Sequence, residues 1–418
     1  MWPRCGSPAR CPTLRYTRSK SLFAAVLGQA GGPRCLPAWC WLPEYPLPAL
    51  VNRYSRRRGK SMIIYPRLSW AVPASNYCSG EMSQHTFLPE HILRRRREAA
   101  PPVSSPLFIL SAPRSFTSVV CAMLGQHPEM YGLLETGLFN VETMEEWWAT
   151  ARRAGLLRCI AELFFDDQAD RSIRQAEAWL KRRLSFTTAY IFELIGERVA
   201  PRTLIDKTPA MAFEVAAMLR TDDMFPGARY LHLLRHPRGQ CESVMNHTLR
   251  MAAEQHAPPP LWVRHLVLPD GPDARTPLLP PHRANGPVGL RDPQWRWYEL
   301  HNNILEFLEG IPMERKLTMR GEDLLADPDG GLRTIASWLG LSCDDGVVEE
   351  MKHPERGPYS FVGPPSARFG TSRYFLQQPA LRPDRAAPLS LDGPLAWRAD
   401  GGVFAPRVRR LAEYFGYA

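Results

Sequence analysis

Short apolar runs alternate with stretches of helical period along most of this chain. Leu107-Phe108-Ile109-Leu110, bounded by Pro106 and Pro113, reads as a buried strand. A polar turn follows, and Val119 to Leu124 continues as a helix that ends ahead of Pro128, because proline disfavours helix in the residue before it. Met130 to Leu134 reads as a second strand, and residues 142–200 are helical, with Ile191, Leu194 and Ile195 at helix spacing. Thr203 to Asp206 and Ala228 to Leu234 read as the third and fourth strands, the fourth leading into a helix through Cys241, Val244 and Met245. Trp295 to Leu308 is an amphipathic helix, Lys316 to Arg320 a fifth strand, and Leu332 to Leu339 a helix closed by Gly340. Strands alternating with helices predict an α/β fold whose mainly parallel sheet is covered on both faces. No internal repeat interrupts the pattern.

In such sheets ligands gather at the carboxyl ends of the strands. Arg114, Glu135, Lys207 and Arg235 all fall just past predicted strand ends. The first of these turns has the makings of an anion site. A strand, tight loop and helix leave several backbone N–H groups aimed at one spot, and the helix dipole adds to them. Arg114 supplies a fixed charge there, and Ser115, Thr117 and Ser118 supply hydroxyl donors. The loop suits a phosphate or sulfate group. It lacks the Gly-x-x-x-x-Gly-Lys-Ser/Thr of a nucleoside-triphosphate loop.

The stretch from Arg114 to Ser118 instead resembles the 5′-phosphosulfate loop of sulfotransferases that use 3′-phosphoadenosine 5′-phosphosulfate (PAPS). Those enzymes carry an Arg-Ser-Gly-Thr-type or Lys-Ser-Gly-Thr-type loop after the first strand, and Phe116 stands here in place of their glycine. If that position needs a positive φ, phenylalanine costs on the order of 1–2 kcal/mol. Either the loop is shaped differently or the ring packs against nucleotide or acceptor. Four further stretches follow in the family's order: Glu135, Lys207-Thr208-Pro209, Arg235-His236-Pro237-Arg238 with Ser243, and Arg320-Gly321-Glu322-Asp323-Leu324 with Asp327-Pro328. The last is similar to the family's Arg-Tyr-Glu-Asp-Leu element.

The resemblance, to the bacterial and carbohydrate-type members, implies a P-loop NTPase-like sulfotransferase fold. It implies PAPS as co-substrate without a metal, held by Arg114, Ser115, Phe116, Thr117 and Ser118 at its 5′ end. Arg235 and Ser243 would hold the 3′-phosphate, a guanidinium fork and a hydroxyl being able to share one phosphate. Glu135 is the expected general base, with Lys207 and Arg114 stabilising charge on the departing phosphate. His236 is the alternative base. Arg320 and Glu322-Asp323 read as a structural network rather than chemistry. The rival readings are a nucleotide kinase or NTPase of related fold and a nucleotide-binding protein without catalysis, which Phe116 keeps open.

Charge and cysteine usage refine the boundaries. The formal charge is +10, yet residues 1–81 hold 12 Lys+Arg against 2 Asp+Glu, so the remaining 40 of each (52 − 12 and 42 − 2) cancel. That balance argues against nucleic acid as a partner, and the basic stretch Ile92 to Glu98 reads as a solvated helix face. Residues 1–81 read as a disordered or non-native extension, with a targeting segment as the alternative, 82–104 as a basic linker or helix, and 105–418 as the sulfotransferase domain. Within it, 256–293 is rich in proline and glycine and reads as a lid over the acceptor site, and the tail beyond Pro358 is loop-rich, with Arg368, Phe369, Arg373 and Tyr374. Cys121, Cys159, Cys241 and Cys343 are widely spaced, which suits a reducing cytoplasm better than a disulfide framework. Trp147, Trp148 and Trp179 read as core or pocket wall. The acceptor is a small molecule or a carbohydrate, no membrane span is expected, and the oligomeric state is open.

Overall fold

Neighbouring residues of the first strand, β1 (Leu107–Leu110), face different cores. Phe108 and Leu110 join one apolar cluster while Leu107 and Ile109 join another, so the sheet is buried on both faces and a continuous apolar run is what the strand requires. The computed structural model describes residues 105–150, 152–254, 292–398 and 400–418. The extension read at 1–81, the linker at 82–104 and the greater part of the lid read at 256–293 lie outside the described residues.

β2 (Met130–Gly132), β3 (Thr203–Asp206), β4 (Arg229–Leu234) and β5 (Lys316–Arg320) complete a sheet of order β2-β3-β1-β4-β5, and each pairing is parallel. All carboxyl ends therefore open on one edge. The second strand is shorter than the sequence suggests: Leu133 N still donates to Ile205 O at 2.9 Å, but Leu134 has left the ladder to begin the turn carrying Glu135.

The longer helices are α1 (Thr117–Leu124), α2 (Ala154–Phe165), α3 (Asp170–Lys181), α4 (Thr188–Val199), α5 (Val215–Met224), α6 (Pro237–Glu254), α7 (Pro293–Glu309), α8 (Pro328–Leu339) and α9 (Pro406–Tyr414). Val120 and Leu124 of α1 share the cluster of Leu107 and Ile109 with Leu332 and Ile335 of α8. α2, α4 and α7 cover the opposite face, where Trp147 and Trp179 are core residues and Trp148 is packed against them. Asp292 and Pro293, read above as the end of the lid, instead start α7. The Asp292 carboxylate caps Gln294 N at 3.1 Å, and Trp397 and Arg398 donate to it at 2.8 and 3.0 Å.

Two buried polar clusters fasten the long C-terminal tail to this frame. Arg158 of α2 is fully buried and has no carboxylate partner among the described residues. Its guanidinium donates to Gln168 Oε1 at 2.6 Å, Phe369 O at 2.7 Å and Phe361 O at 3.0 Å, and lies over the Phe361 ring. It thereby sets the path of residues 357–377. Beneath the end of β4, His232 Nε2 and His301 Nδ1 are 2.8 Å apart, and the ring of Phe415 packs on both. Trp297, one helical turn from His301, donates its indole N–H to Arg235 O at 2.9 Å.

Burial lowers the imidazole pKa of His232 to about 3 and that of His301 well below its ordinary value, so both stay neutral in the fold. The unfolded chain takes up these protons below about pH 6.5, which gives each histidine a stability term that rises with pH by up to about 1.4 kcal/mol per unit. Urea unfolding is therefore expected to show stability falling from pH 6.5 toward 4, with a slope about one proton shallower in His301→Leu. Arg158→Met leaves the Phe361 and Phe369 carbonyls unpaired, and a loss of about 3 kcal/mol is expected from the same measurement at pH 7.

Candidate functional site

Every turn at the carboxyl edge of the sheet is tied to its neighbour. Ser111 Oγ donates to Leu233 O at 2.6 Å, Gln240 Nε2 to Pro113 O at 2.7 Å and Arg235 Nη1 to Arg114 O at 2.6 Å. These three bonds moor the β1–α1 loop to the end of β4 and the start of α6. The loop needs mooring, because Arg114 and Phe116 both adopt left-handed backbone, at φ 72° and 64°. Each costs about 1–2 kcal/mol for a residue with a Cβ.

The position occupied by Phe116 thus does need a positive φ. Its ring packs on the Arg235 guanidinium, 4.4 Å from carbon to centroid, and against the backbone of Gly321. Phe116 is the residue before α1 and supplies no side-chain cap, so the first-turn amides of Thr117 and Ser118 rely on another acceptor. Ser115 Oγ is buried beside them with no hydrogen-bond partner among the described residues, as is Arg235 Nε. Buried donors left unpaired by protein in a loop that begins a helix suit an anionic group.

The second half of the site is built around a buried ammonium. Lys207, just past β3, is 2% exposed and donates to Glu135 Oε1 at 3.0 Å, Ser118 Oγ at 3.3 Å and Thr371 Oγ1. Ser118 Oγ and Thr371 Oγ1 are themselves 2.8 Å apart. Glu135 remains 30% exposed, so its carboxylate reaches both the buried lysine and incoming molecules. Its backbone N–H donates to Gly370 O at 2.9 Å, which joins the second turn to the tail.

Asp206 supports this pair from below. Its buried carboxyl accepts Thr136 Oγ1 at 2.5 Å and Thr208 N at 2.9 Å, and Thr208 Oγ1 accepts Gly137 N at 3.2 Å. The turns bearing Glu135 and Lys207 are thereby locked together. Burial raises the Asp206 pKa, opposed by these hydrogen bonds and by Lys207.

Arg114 donates Nε to Ser243 Oγ at 3.2 Å and Nη1 to Ser372 Oγ at 3.0 Å, and lies over the Tyr374 ring at 4.9 Å. Ser243, expected to share the 3′-phosphate with Arg235, accepts from Arg114 in this structure. Arg250 stacks on the same tyrosine at 4.4 Å. Burial lowers the pKa of Arg114 and brings that of Arg235 to about 10, so both are cations at neutral pH.

His236 stands apart from Glu135 and Lys207. Its Nδ1 accepts Arg238 N at 3.1 Å, its ring packs on Tyr417, and burial lowers its pKa to about 4. Glu322 accepts His236 N at 2.9 Å and Tyr417 OH at 3.0 Å, while Arg320 donates to Asp323 Oδ2 at 2.7 Å and Gly416 O at 2.6 Å. Arg238 is spent on the carbonyls of Ser390, Asp392, Gly393 and Pro394. The Arg320 stretch is a structural network, as its composition suggested.

Thr371, Ser372 and Asp206 are not expected at the site from the sequence, and Tyr374 enters there only as one of the tail's aromatic residues. Asp206 left one signal, a carboxylate closing an apolar strand immediately before Lys-Thr-Pro. The tail residues left no more than an aromatic and arginine-rich composition. A crevice of about 560 Å³ opens beside Lys207, Ser118 and Thr371 and runs past Tyr131 and Leu133 to Arg202. Among the described residues no helix is long and apolar enough to cross a membrane.

The sequence model of the sulfotransferase family matches residues 106–261, a stretch that contains Arg114, Glu135, Lys207, Arg235 and Ser243. A sulfotransferase domain from the curacin biosynthetic pathway superposes with a TM-score of 0.56 at 23% identity, covering 75% of this chain and 98% of that one. A sulfotransferase domain from the Synechococcus PCC 7002 olefin synthase gives 0.54 at 22% identity, over 77% and 97%. At such identities these two likenesses speak for the fold. No curated protein gave a significant match. The fold is the P-loop-like one of the sulfotransferases, and residues 106–261, which carry the anion loop, the Lys-Thr-Pro turn and Arg235, match the sequence model of the sulfotransferase family.

Proposed function

We propose that this protein transfers a sulfuryl group from PAPS to a hydroxyl, with an amine as the less favoured nucleophile, on a small-molecule or carbohydrate acceptor. The observation that carries the reading is the Lys207 ammonium, held between Glu135 Oε1 and Ser118 Oγ at the mouth of an anion loop. The unpartnered Ser115 Oγ and Arg235 Nε fit the two ends of a nucleotide with a phosphate at each. Ser115, Thr117, Ser118 and the first amides of α1 would bind the 5′-phosphosulfate, with Phe116 shaping their loop and Arg114 adding its charge. Arg235 would bind the 3′-phosphate, with Ser243 bracing Arg114 at 3.2 Å.

When bound, PAPS supplies an activated sulfuryl group. Glu135 takes the proton of the acceptor hydroxyl as the new sulfur–oxygen bond forms, leaving the carboxyl protonated. Lys207, Arg114 and the loop amides would stabilise the charge that develops on the bridging oxygen as the old sulfur–oxygen bond breaks, and Lys207 would protonate it. The products are a sulfated acceptor and 3′-phosphoadenosine 5′-phosphate (PAP). The crevice beside Lys207 has the volume of a small-molecule site. The described cysteines Cys121, Cys159, Cys241 and Cys343 are free thiols, which suits work in the reducing cytoplasm.

Calorimetric titration of PAP into the full chain tests the donor site. Tight binding is expected, weakened roughly a hundredfold or more in Arg235→Ala. Absence of binding by the folded protein, or magnesium-dependent ATP turnover, would replace PAPS with another phosphate ligand. Glu135→Gln is expected to keep PAP affinity within a few-fold and to cut sulfuryl transfer to a phenol acceptor by about 10²–10⁴. An unchanged rate would remove Glu135 as the base.

A further inference from the structure

Phe116 brings no donor to a loop otherwise made of donors, and it holds left-handed backbone that a large side chain disfavours. What the residue does contribute is its ring. One side of that ring meets the Arg235 guanidinium at 4.4 Å. Another side rests on Gly321, where a Cβ would stand 2.5 Å from Phe116 Cδ2 and 3.1 Å from Leu234 O. Any side chain at 321 would push the ring off its seat. These are also the positions at which two stretches depart from the pattern they resemble. The aromatic residue is at 116 and the glycine at 321, the reverse of the family's glycine and tyrosine.

Arg235 depends on that ring. Its Nη1 donates to Arg114 O at 2.6 Å, its Nε is buried without a partner, and it has no carboxylate partner among the described residues. The nearby Glu322 is taken up by His236 N and Tyr417 OH. One hydrogen bond leaves a guanidinium free to turn about the bonded nitrogen, and a stacked aromatic face removes that freedom.

Building on the donor site proposed above, we propose that Phe116 is a positioning residue. Its ring, seated on Gly321, fixes the plane in which the Arg235 Nε–H meets the 3′-phosphate of the donor. Phe116 thus acts on one phosphate of the nucleotide through Arg235, while the loop amides serve the other.

PAP and adenosine 5′-monophosphate differ in the 3′-phosphate alone, so their titration into the full chain isolates this role. Phe116→Leu keeps an apolar side chain but loses the π face. It is expected to weaken PAP about tenfold, to leave the monophosphate within about twofold, and to have no further effect in an Arg235→Ala background. Phe116→Tyr is expected to bind both as the parent does. Gly321→Ala, which displaces the ring while leaving the residues of the β1–α1 loop unchanged, is expected to weaken PAP alone, and the loss is expected to vanish when combined with Phe116→Gly. Equal loss of both nucleotides in Phe116→Leu, or parental PAP affinity in Phe116→Leu and Gly321→Ala, overturns the assignment while leaving the donor site standing. Failure of the parent to bind PAP removes the donor site itself, and the role of Phe116 with it.

Discussion

A buried ammonium tolerates no vacancy among its partners, and Lys207 is the point on which this carboxyl edge turns. Removing the charge from water costs several kcal/mol unless oxygens replace the solvent shell. Glu135, Ser118 and Thr371 supply those oxygens. They come from the turn after β2, from α1 and from the tail, so one solvation requirement draws three separate segments onto β3. The sheet places the turns near one another, and the lysine decides how near.

The support beneath is of the opposite sign. Asp206, the residue before Lys207, directs its carboxyl to Thr136 and to Thr208 N, on either side of the reactive pair. Consecutive residues of an extended strand point to opposite faces. A carboxylate and an ammonium side by side in sequence can therefore serve as internal brace and as site residue without cancelling each other. Past the end of β4, Trp297 does a comparable service for Arg235 from the core side by donating to its carbonyl, with the His232–His301 pair beside it.

Local signals carried most of the fold. Buried parallel strands are apolar runs ended by turn residues, as at 107–110 and around Leu204 and Ile205, whereas the edge strand 316–320 is half-exposed and alternates apolar with polar residues. Past their ends lie Arg114, Lys207, Glu135 and Arg235, because a parallel sheet puts every such turn on one edge. What stayed hidden depends on contacts remote in sequence. Thr371 meets Lys207 across 164 positions, and nothing local in Gly370-Thr371-Ser372 marks it. The bond from Arg114 to Ser243 is of the same kind, since helix spacing locates a hydroxyl on α6 without saying which guanidinium donates to it. Phe116 could be recognised as out of pattern, but its reason lies in a glycine 205 positions later (321 − 116). His236 looked like a base by residue type, whereas its surroundings in the fold are a helix start and a tyrosine ring.

The tail has a consequence for how the protein is made. Glu322, which holds the turn after Arg235, is completed by the Tyr417 hydroxyl, and Phe415 seals the histidine pair beneath β4. Arg158, in the first third of the described chain, waits for carbonyls at 361 and 369. Synthesis runs from the amino end, and domains fold as their segments emerge. The five-stranded sheet can form once residue 320 is out, yet its carboxyl edge stays unfinished for nearly a hundred residues more (417 − 320). During that interval the growing chain holds an open anion loop and unpaired buried donors.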